Sequence, residues 1–146
     1  MAAEGETAYD LALIAVKKLF SKHPSLEKKV DAINFCTQTP DYAMPSNSFL
    51  LQKDLGLGKA GMVLDFSLAC SGYVFGVAMA SSFIKSGMAK NILLVTGDTY
   101  SKLLEENDRA TRLLFGDGAS ASWIASSDQG DFFCLSSALS GLSICY

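Results

Sequence analysis

One side chain in this sequence combines a reactive group with a setting that would activate it: Cys70, in the run Asp65-Phe66-Ser67-Leu68-Ala69-Cys70-Ser71-Gly72-Tyr73. A strand-like stretch ends at that cysteine, and a long apolar helix pattern opens just after it, at about Ser71. A sulfur at such a strand-to-helix turn would face unpaired backbone N–H groups and the positive end of the helix dipole, which favours the nucleophilic thiolate. The competing reading is inert packing, because a free cysteine behaves as a small buried hydrophobe. Other reactive groups are sparse. Cys36, Cys70, Cys134 and Cys145 form no C-x-x-C pair and have no metal-spaced histidines beside them, so free thiols in a reduced cytoplasm are expected. The sole histidine, His23, abuts Pro24 at an expected helix end, which disfavours a cysteine-dependent hydrolase. Asp117, between Gly116 and Gly118, fits either an ion or phosphate loop or a tight turn, and turn chemistry is the preferred of the two.

The elements around Cys70 follow from periodicity. Ala8, Leu11, Ala12, Ala15, Val16, Leu19 and Phe20 recur at helical spacing, with Thr7 and Asp10 forming a capping-box pattern and Pro24 closing the helix near His23. Val30 to Thr37 reads as a short buried strand. Thr39 to Pro45 is a loop, and Ser46 caps a helix running to about Leu55. Met62 to Ser67 is a second strand, and the helix after Cys70 runs to Lys85. That helix carries little charge, so burial on most sides is expected. Its small residues, Gly72, Gly76, Ala78, Ala80, Ser81 and Ser82, would let a neighbouring backbone approach closely. Asn91 to Thr96 is a nearly continuous apolar strand, as expected for one covered on both faces. Gly97 to Arg112 reads as loop with at most a short helix, Phe115 to Gly118 as a tight turn, Ala119 to Ala125 as a fourth strand and Phe132 to Ser136 as a fifth. Helices alternating with strands at these lengths imply an α/β layered domain with a mostly parallel sheet covered by helices. Cys70, Asp98 and the loop after Asp98 lie at carboxyl ends of strands, where such sheets place ligands.

Composition narrows the class of function. A net charge of -3 and the absence of a dense Lys/Arg run argue against nucleic acid as a partner. Apolar stretches are broken by Ser, Lys or Gly well before membrane-spanning length, and Glu4 and Glu6 stand where a basic leader would begin, so a cytoplasmic protein is expected. With 146 residues, 49% of them hydrophobic, one domain spanning 1–146 can bury a core.

The order of motifs resembles β-ketoacyl-acyl-carrier-protein synthase III, the thiolase-fold condensing enzyme that initiates type II fatty acid synthesis. The likeness is carried by Thr39-Pro40-Asp41-Tyr42, Pro45-Ser46, Leu55-Gly56, the Cys70 run, Lys85-Ser86-Gly87, Asp108-Arg109 and Phe115-Gly116-Asp117-Gly118-Ala119. It covers residues 5–127 in unbroken order, with 131–146 an atypical apolar tail. Such enzymes hold no permanent cofactor. They take an acyl group from acyl-CoA onto a cysteine and condense it with malonyl-acyl carrier protein, releasing carbon dioxide. The resemblance implies that Cys70 is the acyl-accepting nucleophile and that Arg109 contacts the nucleotide part of coenzyme A. It also implies that Phe115 lines the acyl pocket, and that Met44, where many members carry Phe, lies on a loop reaching the partner's acyl pocket in a homodimer. Without the resemblance, Arg109 reads as a surface charge beside Glu105, Glu106 and Asp108, and Phe115 as a core aromatic.

Two departures bear on activity. The family's condensing histidine and asparagine lie in a C-terminal half missing from this sequence, and His23, Asn34, Asn47, Asn91 and Asn107 match neither. The family's first strand is also missing, and its loss is expected to leave a gap among the strands that Phe132 to Ser136 could fill. The implied chain is the nucleophile half of the enzyme, able to accept an acyl group and unable to condense alone. The alternatives are a non-catalytic thiolase-like module for dimerisation or complementation, or a polyketide- or thiolase-type relative. Burial of the helix after Cys70 and of the strand from Asn91 at a dimer interface is expected.

Overall fold

The computed structural model describes residues 1–105, 107–127 and 132–140, with the last segment described as backbone except at Cys134. Its elements are α1 (Ala8–Lys22), β1 (Ala32–Cys36), α2 (Asn47–Asp54), β2 (Met62–Phe66), α3 (Gly72–Lys85), β3 (Asn91–Thr99), α4 (Arg109–Arg112), β4 (Asp117–Ser126) and β5 (Phe132–Ser140). The tail beyond residue 140, Cys145 included, lies outside the described residues.

The strands form one sheet in the order β2-β1-β3-β4-β5. β1 runs parallel to β2 and to β3, whereas β4 is antiparallel to β3 and β5 to β4. The sheet is therefore mixed: its parallel part is β2-β1-β3, where α2 and α3 supply the crossovers that parallel neighbours need. No gap interrupts the described strands. β1 has neighbours on both sides, and β5 pairs along the outer edge of β4.

Two helical layers cover the sheet. α1 turns Leu11, Ala15, Val16 and Leu19 onto Ile33 and Phe35 of β1 and Leu93 and Val95 of β3, and Leu51 of α2 joins the same core. Its start is the expected capping box: the Thr7 side chain accepts from Asp10 N–H, and the Asp10 carboxylate accepts from Thr7 N–H. α2 departs from expectation at its cap. Ser46 holds the N-cap position but makes no side-chain cap bond. The Asp65 carboxylate, reaching over from β2, instead accepts from Asn47 N–H and Ser48 N–H, each at 2.9 Å.

On the other face lies α3, and its burial is one-sided. Only Gly72, Gly76 and Ala80 are buried, while Val74 and Phe75 are 69% and 53% exposed. The small residues make the contact, because a Cβ on Gly76 would stand 2.7 Å from Leu94 Cδ1. α3 thus lies close on β1 and β3 and turns its apolar outer side to solvent. Asn34 of β1 is fully buried, and among the described residues neither atom of its carboxamide finds a hydrogen-bond partner. Nothing in the structure explains it.

The expected turn at Gly116-Asp117-Gly118 is a strand start instead, with Asp117 paired to Thr99. The Asp117 carboxylate is a fastening point that accepts from Ser101 N–H (2.8 Å), Ser101 Oγ (2.5 Å) and Ala2 N–H (2.6 Å). Burial works to raise its pKa, but these donors outweigh burial and hold it below the usual carboxylate value. A folded-state pKa below the unfolded one adds stability at pH values above about 4, which is lost as pH falls through the folded value. The melting temperature of the native chain should therefore fall more steeply below pH ~4 than that of Asp117→Asn. Parallel melting profiles of the two proteins from pH 6 to pH 3 would contradict this role.

Candidate active site

Chain connections leave β1 toward β2 on one side and β3 toward β4 on the other, so the strand order reverses between the carboxyl ends of β1 and β3. Crevices form at such switch points. Here a cleft of about 510 Å³ opens, lined by Cys36 and Gln38 at the end of β1, Thr96, Gly97 and Asp98 at the end of β3, and Cys70 beyond β2. Tyr73, Tyr100, Phe115, Gly116 and Gly118 complete its wall with Ala69.

Cys70 is exposed and sits in a 3-10 turn, Ala69–Ser71, that leads into α3. The chain enters this turn through Ala69 at φ 48°, the left-handed region that a Cβ disfavours by about 1 kcal/mol. The Leu68 carbonyl holds the reversal by accepting from Ser71 N–H (3.2 Å) and Ser71 Oγ (2.7 Å). The result is a sharp elbow with the sulfur at the cleft. Two N–H groups expected to be unpaired are in fact engaged, because the 3-10 turn joins Ser71 N–H to Leu68 O and Gly72 N–H to Ala69 O.

Beneath the elbow lies Cys36, only 5% exposed. A Cβ on Gly72 would stand 2.2 Å from its Sγ, so α3 starts directly against that sulfur. Burial pushes the Cys36 thiol pKa up, and the nearby Asp98 charge adds to this against a bond from the Leu68 backbone. Cys36 is set as a packing thiol. Cys70 has the exposure that a nucleophile needs.

Of the other sequence-derived site residues, Phe115 lines the cleft and stacks on Tyr100, with ring centroids 5.0 Å apart and 28° between planes. Arg109 is exposed on α4 and outside the lining of the cleft. The Asp108 side chain caps that helix by accepting from Thr111 N–H at 3.0 Å. Met44 is 87% exposed on its loop, precedes Pro45 through a cis peptide, and is likewise outside the lining. Sequence reasoning missed Tyr100, Gln38 and Tyr73. Tyr100 stood in a segment read as loop, and only the extension of β3 to Thr99 shows where it points. Among the described residues no cluster of three His, Cys, Asp or Glu side chains could hold a metal ion, and no helix is long and apolar enough to cross a membrane.

Residues 64–141, which include the elbow, the β3 and Phe115 side of the cleft and β4, match the family described as 3-Oxoacyl-[acyl-carrier-protein (ACP)] synthase III. The chain belongs to the synthase III family. A β-ketoacyl-acyl-carrier-protein synthase III of Neisseria gonorrhoeae is 36% identical over 129 residues, covering 88% of this chain and 40% of the relative. A crystal structure of a 3-oxoacyl-(acyl-carrier-protein) synthase III superposes with a TM-score of 0.83 at 45% identity, over 87% of this chain and 38% of that one. The enzyme of Thermus thermophilus gives 0.82 at 35% identity, over 89% and 40%. The fold is thus that of the thiolase-like synthase III structures, and this chain spans about 40% of the length of the curated synthase III relative.

Proposed function

We propose that this chain carries the acyl-accepting half-reaction of a synthase III condensing enzyme. The observation that carries the reading is the position of Cys70, exposed on a left-handed elbow at the switch-point cleft. The Cys70 thiolate adds to the thioester carbonyl of acyl-CoA, and the carbonyl oxygen takes the charge. The tetrahedral adduct then collapses by breaking the bond to the coenzyme A sulfur, which leaves as thiolate and takes up a proton. The Cys70 backbone N–H is the donor to the oxyanion. Phe115 packs along the acyl chain. Arg109, solvent-facing on α4, contacts the nucleotide part of coenzyme A. Met44 serves across a homodimer, on a loop that leaves its own cleft unlined. Acyl carrier protein brings the malonyl acceptor. Condensation draws its histidine and asparagine from the remainder of the family's length. The setting is the cytoplasm, and no resident cofactor takes part.

Intact-mass spectrometry of the chain after incubation with acetyl-CoA tests the reading, with size-exclusion chromatography on the same sample. One acetyl adduct that disappears in Cys70→Ala is the expected result, on a species eluting as a dimer. A folded chain that stays unmodified would overturn independent acyl transfer and favour a non-catalytic module.

A further inference from the structure

Tyr100 is pinned at three points around the cleft. Its ring lies against Phe115. Its phenol O–H donates to Gln38 Oε1 on the segment after β1. Its neighbour Ser101 is bound through both N–H and hydroxyl to Asp117, two residues from Phe115. The ring therefore bridges the two rims, that of Gln38 and that of Phe115, and Gly116 and Gly118 add no side chain beside it. Burial raises the phenol pKa, with the charges of Asp98 and Cys70 adding to the effect, so the O–H remains a donor at neutral pH.

We propose that Tyr100 is a specificity-determining residue whose ring, stacked on Phe115 and tied to Gln38, limits the size of the group that reaches Cys70. With the acyl-transfer reading, on which its biological meaning rests, this makes the Tyr100 ring the element that sets the upper size of the acyl group in this chain. A flat ring fastened at its edge cannot swing aside for a longer chain without giving up both the stack and the hydrogen bond. Loss of the ring opens the cleft between its rims and leaves the Cys70 elbow, held by Leu68 and Ser71, in place.

The test separates access from chemistry. Cys70 alkylation in the full chain is followed by peptide mass mapping with N-ethylmaleimide and N-benzylmaleimide, and acylation with acetyl-CoA and octanoyl-CoA. The native chain should favour the small reagent of each pair. Tyr100→Ala should shift both ratios toward the bulky reagent by about tenfold, within the range over which an apolar pocket discriminates by a methylene. Tyr100→Phe, which keeps the stack and loses only Gln38, should fall between them. Tyr100→Leu takes the place of the alanine variant if that variant does not fold. A maleimide ratio unchanged in the folded variant overturns the size limit. Maleimide ratios that shift while neither thioester acylates the native chain uphold the limit and overturn acyl transfer instead.

Discussion

Gly72→Ala should lower the melting temperature by roughly 5 °C, on the basis of an overpacking cost of about 1–3 kcal/mol and a shift of about 2–4 °C per kcal/mol in a domain of this size. The reason is space alone. Gly72 has ordinary helical angles, φ -56° and ψ -43°, so alanine meets no backbone strain there. The new Cβ would stand 2.2 Å from Cys36 Sγ and 3.5 Å from Cys36 Cβ. Only the sulfur is in the way, and it is buried in a strand paired on both sides. Either the sulfur leaves its rotamer or the first turn of α3 lifts from the sheet and carries the Cys70 elbow with it. Acylation and alkylation of Cys70 should both change with the loss of stability. Cys36→Ala in the same chain removes the obstructing atom, so the double variant should regain stability relative to the sum of the two single losses by about 1–3 kcal/mol. Thermal melts and urea titrations of the four proteins measure that coupling. Additive losses would show that the sulfur does not set the height of α3 above the sheet.

The same contact shows what a sequence can and cannot disclose. Thr7 and Asp10 are three residues apart, so the cap of α1 is local and legible. The apolar runs of β1, β2 and β3 are short and bounded by turn residues, so their identity as strands is legible too. The small residues of α3 signal a close approach, and Gly72 and Gly76 make it. What they do not signal is that the helix is buried on that side only, because the composition of its outer face, with Val74 and Phe75, is as apolar as a core. The fastening carboxylates are a different case. Asp65 binds Asn47 at a separation of 18 residues, Asp98 binds Gln38 at 60, and Asp117 binds Ser101 at 16. Each reads as an ordinary strand-end or turn acid until the sheet order brings its partners alongside. The antiparallel course of β4 is hidden for a related reason. Its pairing from Thr99 to Asp117 depends on how the segment between them folds back, and no periodicity records that. The Cys70 elbow was legible in place, and its left-handed step at Ala69 was not, since alanine carries no signal for it.

Asp98→Ala should be the most destabilising single change at the cleft. One carboxylate oxygen, Oδ1, accepts from Gln38 N–H at 2.7 Å and from Thr37 Oγ1, Thr39 N–H and Thr39 Oγ1 at 3.1 Å each. Thr39 Oγ1 in turn accepts from Thr99 N–H at 2.9 Å. The segment leaving β1 is thus tied to the end of β3 by four bonds that converge on one carboxylate oxygen, with the Thr39–Thr99 bond beside them. Hydrogen bonds to a charged group contribute about 1.5–3 kcal/mol apiece, and solvent reaching the exposed Gln38 replaces part of them, so a net loss of about 3 kcal/mol is expected. At about 2–4 °C per kcal/mol the melting temperature should fall by roughly 6–12 °C. Asp98→Asn keeps a carbonyl oxygen at the same place and should lose about half as much, because a neutral acceptor bonds less strongly than a carboxylate. The consequence for the site follows from Gln38. Once its backbone is released, the side chain that receives the Tyr100 phenol is no longer held, and one edge of the aromatic wall comes free. Asp98→Ala should therefore raise bulky-maleimide access to Cys70 relative to small in the same direction as Tyr100→Ala. The two changes made together should add less than their separate effects, since both undo the same Gln38–Tyr100 bridge. Full additivity in that ratio would mean that Asp98 supports the fold without shaping the entrance to the sulfur.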